Sequence, residues 1–141
     1  MPDEAFLGLE RSLWELELSH CQLTKVPNRA LRYLQKLRIL DLTGNEINKI
    51  SPENWRGLEG SLEILILADN SLAKLPLDAF GGLPMVETID LRGNNLREID
   101  PAQMLCPPEK AFMTQPTCRV TRLRNGVVAN YRTNIAKNRE D

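Results

Sequence analysis

Leu37–Ile47 reads LRILDLTGNEI. Apolar residues fill its first, fourth, sixth and eleventh positions, and asparagine its ninth. Three other segments align with it without gaps: Leu13–Leu23 (LWELELSHCQL), Leu62–Leu72 (LEILILADNSL) and Val86–Leu96 (VETIDLRGNNL). Their starts lie 24, 25 and 24 residues apart. A fixed period of this length is the mark of a stacked-repeat architecture, in which each unit buries its apolar face only against its neighbours.

The spacing within a unit predicts a short strand. Leu16/Leu18, Leu40/Leu42, Leu65/Leu67 and Ile89/Leu91 alternate with polar or variable positions. Side chains alternate across a strand, so the leucines face one side and the intervening residues the other. Stacking the units in register makes a parallel sheet over a continuous leucine core. The ninth position holds Cys21, Asn45, Asn70 and Asn94. Here the chain leaves the strand, and an amide side chain can satisfy the turn's backbone groups as both donor and acceptor. Cys21 is read as a small buried thiol in this ladder.

The second half of the unit also recurs. Val26, Pro27, Ala30 and Leu34 match Leu75, Pro76, Ala79 and Leu83. A bulky spine runs through Phe6, Leu31, Trp55, Phe80 and Met104. Gly8, Gly57 and Gly82 are expected to allow tight turns or close backbone approach. The starts Pro27-Asn28-Arg29-Ala30 and Pro76-Leu77-Asp78-Ala79 predict one short helix or 3₁₀ turn per unit. Pro2, Ala5, Phe6, Gly8 and Leu9 match this second half, so the sequence is expected to begin midway through a unit.

The unit L-x-x-L-x-L-x-x-N-x-L-x-x-L-P-x-x-A-F-x-x-L resembles the leucine-rich repeat of the class common in extracellular proteins. The resemblance covers residues 1–105 and is nearest to the chaoptin-like adhesion proteins. It implies an α/β repeat: a curved solenoid with a parallel concave sheet and short helices or 3₁₀ turns on the convex side. It also implies a protein-binding role at a cell surface, as an adhesion or receptor module or part of one. An intracellular scaffold or adaptor, or a truncated product without function of its own, are the alternatives. The absence of a signal peptide and of any N-x-[ST] sequon departs from the extracellular pattern.

Residues 106–141 break the repeat. They carry seven Lys or Arg against three Asp or Glu, whereas residues 1–105 carry eleven against sixteen. Three readings stand for this segment: a cap held by a Cys106–Cys118 bridge, a flexible basic tail, or sequence foreign to the repeat. Asn125-Gly126 is a turn signal between two apolar stretches, consistent with a hairpin.

The chain shows no catalytic grouping, phosphate-binding loop or dinucleotide fingerprint, and His20 is its one histidine. No enzyme activity, cofactor or metal is expected. A net charge of -1 argues against a nucleic-acid partner, and no apolar run is long enough to span a membrane. The expected partner is another protein, met on the concave face. The outward positions there include Glu15, Glu17, Ile39, Asp41, Ile64, Ile66, Thr88, Asp90 and Arg92, with Ser19, Thr43 and Ala68 beside them. An isoleucine cluster ringed by carboxylates suits a partner that presents apolar residues flanked by Lys or Arg.

Overall fold

The structure is a computed structural model that describes residues 1–76, 78–96, 117–123 and 126–132. Four three-residue strands lie side by side: β1 (Glu15–Glu17), β2 (Ile39–Asp41), β3 (Ile64–Ile66) and β4 (Thr88–Asp90). All three pairings among them are parallel. The register aligns Leu16, Leu40, Leu65 and Ile89 in one row, as the self-alignment predicts. The chain thus builds the leucine solenoid that its period implies.

Three residues make few backbone bonds, so the strands depend on what lies beneath them. Leu40, Leu42, Leu65, Leu67, Ile89 and Leu91 are fully buried. Each such side chain removed from water contributes roughly 1.5–3 kcal/mol. Burial falls off at the first unit. Leu34 and Leu58 are fully buried, while Leu9, their counterpart in the preceding half-unit, is 41% exposed. Leu13, Leu16 and Leu23 are only partly buried.

The helical elements are short because only thirteen or fourteen residues separate one eleven-residue motif from the next. Unit one returns through the four-residue helix α1 (Asn28–Leu31) and unit two through a 3₁₀ turn at Pro52–Trp55. Ser51 and Asn54 close that turn with a reciprocal capping box. In unit three the described residues 78–82 form turns and not a helix, which corrects the expectation of a helical start at Pro76–Ala79. Leu77, within that stretch, lies outside the described residues.

The convex spine forms as predicted for Leu31, Trp55 and Phe80, all buried, with Phe6 packed against them. The rings of Trp55 and Phe80 stack with centroids 6.2 Å apart. Met104 lies outside the described residues.

Only some of the glycines matter. Gly57 has φ +93°, and a Cβ there would run into the Arg32 carbonyl of the preceding unit. Gly82 has an ordinary φ, and its nearest neighbour would be the Pro52 carbonyl at 3.8 Å, so no glycine is required there. Gly57→Ala is expected to lower stability by about 3 kcal/mol. Gly82→Ala should stay close to wild type. Denaturant midpoints check both, and equal midpoints would contradict the close approach at Gly57.

A second pair of strands extends the sheet beyond the repeats. β5 (Thr117–Leu123) and β6 (Gly126–Arg132) form an antiparallel hairpin, and β6 pairs antiparallel with β4. The sheet order is therefore β1-β2-β3-β4-β6-β5. Asn125 of the turn signal, Cys106, and the boundary expected at residues 105–106 lie outside the described residues. Cys118 stands in β5, in register with Tyr131.

Candidate binding surface: the concave sheet

Each position of the outward face recurs in every strand, so the face resolves into columns. One column runs Glu15, Ile39, Ile64, Thr88 and a second runs Glu17, Asp41, Ile66, Asp90. Ile39, Ile64 and Ile66 are half-buried, neighbours across β2 and β3. The structure thus brings the three isoleucines together. Glu15 and Glu17 are exposed on one flank, and Asp41 is half-buried beside them.

The carboxylates of the second column differ in what already occupies them. Residues two apart on a strand share a face, and each acidic residue meets its neighbour two positions on. Ser19 Oγ donates to Glu17 Oε1 at 2.7 Å. Thr43 donates to Asp41 Oδ1 from both its backbone N–H and its hydroxyl. Asp90 accepts from Arg92 through Nε at 2.9 Å and a terminal nitrogen at 2.6 Å, and from the Arg92 backbone N–H at 3.0 Å. In the third strand the equivalent pair is Ile66 and Ala68, with no polar atom in either side chain.

Asp90 is buried, not openly displayed as the sequence suggests. Burial pushes its carboxyl up, but the Arg92 hydrogen bonds and charge outweigh that and hold it below the ordinary carboxylate range. The same contact raises Arg92. This pair is largely self-neutralised, so the negative charge of the face sits on the Glu15, Glu17 and Asp41 side. The isoleucine patch is therefore flanked by carboxylates without an ion-pair partner in the described residues on one side and an ion pair on the other.

The ladder beneath the face behaves as the asparagines predict. Asn45 Oδ1 accepts from the backbone N–H of Cys21 and Leu23, and its Nδ2 donates to the Leu18 and Leu42 carbonyls. Asn70 joins the Ile47 N–H to the Leu42 and Leu67 carbonyls. Asn94 joins the Leu72 N–H to the Leu67 and Leu91 carbonyls. Each asparagine thus reaches back to the unit before it. Cys21 departs from the expectation of a buried thiol: it is exposed. Its ladder side chain would reach to an earlier strand, and β1 is the end of the described sheet.

Two features escaped the sequence reading. The residue before the ladder position is His20, Gly44, Asp69 or Gly93, and all four have positive φ. The two glycines carried that signal. Glu63 is buried, although charged, and Arg38 one unit earlier donates to it. That bond and the Glu63 charge raise the Arg38 guanidinium.

The leucine rich repeat family model matches residues 11–60 and again 60–109, most of the chain. The chain belongs to the leucine-rich-repeat family. A 42-residue stretch is 62% identical to Chaoptin of Drosophila melanogaster. That match covers 30% of this leucine-rich-repeat chain and 3% of Chaoptin's own length. Among the described residues no group of His, Cys, Asp and Glu is placed to hold a metal ion. No described helix is long and apolar enough to cross a membrane.

Proposed function

We propose that this leucine-rich-repeat chain is a protein-binding module of a cell-surface adhesion or receptor protein, and that it binds through its concave face. The observation that carries the reading is the cluster of Ile39, Ile64 and Ile66 on the outward face of β2 and β3. These side chains are not needed by the core, which the leucines of the opposite face fill. Burying a compact apolar patch against a partner is favourable, and the carboxylates of Glu15, Glu17 and Asp41 would orient a partner that carries Lys or Arg beside its own apolar residues. Thr88, Asp90 and Arg92 form the opposite rim. The extracellular setting is supported by the likeness to Chaoptin over its short matched stretch. The free thiol of Cys21 keeps the alternative of an intracellular scaffold or adaptor.

The test is capture of extracellular-domain proteins by the immobilised chain, repeated with the double variant Ile64→Asp, Ile66→Asp. Both positions are half-buried and outside the core, so folding is expected to survive. A partner held by the wild-type chain should be lost, with affinity down by about a hundredfold or more. Equal capture by the two proteins sinks the reading.

A further inference from the structure

We infer that the chain binds a sulfated polysaccharide along a column of lysines on one side wall of the solenoid. The column is Lys25, Lys49 and Lys74, the thirteenth residue of three successive units. It lies on the wall that leads from the asparagine ladder to the convex spine, a different surface from the isoleucine patch. The choice of an extracellular polyanion rests on the setting proposed above.

The backbone builds this column. Just before the lysines, the Glu46 N–H donates to the Leu23 carbonyl at 2.8 Å and the Ser71 N–H to the Ile47 carbonyl at 2.9 Å. Such bonds hold neighbouring units at the spacing of paired strands, about 4.8 Å. Two residues before each lysine, Leu23, Ile47 and Leu72 pack against or within the core. One residue after, Val26, Ile50 and Leu75 are buried in it. The two residues between these anchors stand out of the wall: Thr24–Lys25, Asn48–Lys49 and Ala73–Lys74 are all exposed. The three lysines therefore leave the backbone along a line roughly 10 Å long.

No acidic group among the described residues neutralises them. The ion pairs there join Arg29 to Asp3, Arg38 to Glu63 and Arg92 to Asp90. Like charges held this close repel one another. A polyanion laid along the column relieves that repulsion and releases its own counterions.

The surroundings choose among polyanions. Beside the lysines the wall carries Thr24, Asn48 and Ala73 on one side and Pro27, Ser51 and Pro76 on the other. None is an aromatic ring on which the bases of a nucleic acid could stack. Apart from Met1, the exposed large apolar residues are Leu7, Leu9, Trp14 and Tyr33, at other positions of the unit, so the column has no apolar anchor for a lipid surface. Lysine is a hydrated point charge on a flexible stem, without the planar fork that arginine presents to a single phosphate. A narrow line of such charges suits a rod with sulfates spread along it.

Titration calorimetry of the 1–141 chain with a heparin oligosaccharide, over a range of salt concentrations, tests the inference. The wild-type chain should bind. The triple variant Lys25→Ser, Lys49→Ser, Lys74→Ser should bind roughly thirtyfold more weakly, with the slope of log affinity against log salt lowered by about two to three. The triple variant K25R, K49R, K74R keeps the charge and should stay within about threefold of wild type. Arg132→Ser, Lys137→Ser, Arg139→Ser removes as much charge from the basic C-terminal segment and should also bind as wild type. So should Ile64→Asp, Ile66→Asp, which separates this wall from concave-face binding. A wild-type chain that does not bind overturns the inference. So does a serine variant of the column that binds as wild type, an arginine variant that does not bind, or a C-terminal variant that loses as much as the column variant. Equal binding of desulfated heparin, single-stranded DNA or vesicles of anionic lipid overturns it as well.

Discussion

Asn70→Ala is expected to unfold the chain at markedly lower denaturant than wild type, with a loss of about 3 kcal/mol or more. The amide of Asn70 is 8% exposed and joins one donor, the Ile47 N–H, to carbonyls of two units. Removing it strips partners from several buried backbone groups at once, and each buried group left unsatisfied costs about 1–3 kcal/mol. The effect should spread to both neighbouring units, because stability in a repeat array is shared across interfaces. Asn70→Asp keeps the acceptor for Ile47 but sets a buried carboxylate oxygen against carbonyls that can only accept, so it should lose at least as much. Cys21→Ala is the matched control. That side chain is exposed and makes one weak bond, to the Ser19 carbonyl at 3.4 Å, so its removal should shift stability by less than about 0.5 kcal/mol. Equal losses at Cys21 and Asn70 would refute the ladder account.

Trp55→Ala is expected to cost about 4 kcal/mol. The side chain is fully buried at the centre of the convex spine, stacked on Phe80, and its indole Nε1 donates to the Ala79 carbonyl at 2.8 Å. Truncation opens a cavity and leaves that carbonyl without its donor. Trp55→Phe keeps an aromatic ring over Phe80 and loses the hydrogen bond alone, so about 1–3 kcal/mol should remain lost. The two tryptophans allow an optical check. Trp14 is 53% exposed and Trp55 is fully buried. The emission that shifts on unfolding should therefore come from Trp55 and persist in a Trp14→Phe variant. A Trp55→Ala protein as stable as wild type would show that the spine does not bind the units together.

The parallel strands, their register and the asparagine ladder were legible in the sequence because each rests on a position repeated at a fixed interval. A period written four times determines which residues lie side by side before any coordinate is known. The isoleucine cluster followed from the same logic, since register alone brings Ile39 beside Ile64. What escaped was whatever depends on a neighbour's identity and not on the period. Asp90 looked like an open carboxylate, and its closure by Arg92 is a two-residue relation within one strand that the column reading overlooked. The burial of Glu63 needs the arginine one unit earlier. The exposure of Cys21 goes with its place beside the outermost described strand, which the repeat motif does not encode. The Asn125-Gly126 signal pointed to a hairpin, but nothing in the residues 106–141 said that it would dock on β4.

The column His20, Gly44, Asp69, Gly93 bears on how such a chain can grow by duplication. All four residues share a left-handed backbone. The His20 ring covers the space where a Cβ on Gly44 would lie, and the Asp69 carboxylate does the same over Gly93. Bulk and vacancy therefore alternate from unit to unit, and a side chain in one unit fits because the next has none. A tandem copy of the third unit alone would set Asp69 against its own duplicate. A copy of two consecutive units would preserve the alternation throughout. A copy of a glycine unit alone also displaces nothing, so in this stretch a unit that carries bulk at this column can be repeated only with a glycine unit after it, while a glycine unit can be repeated by itself.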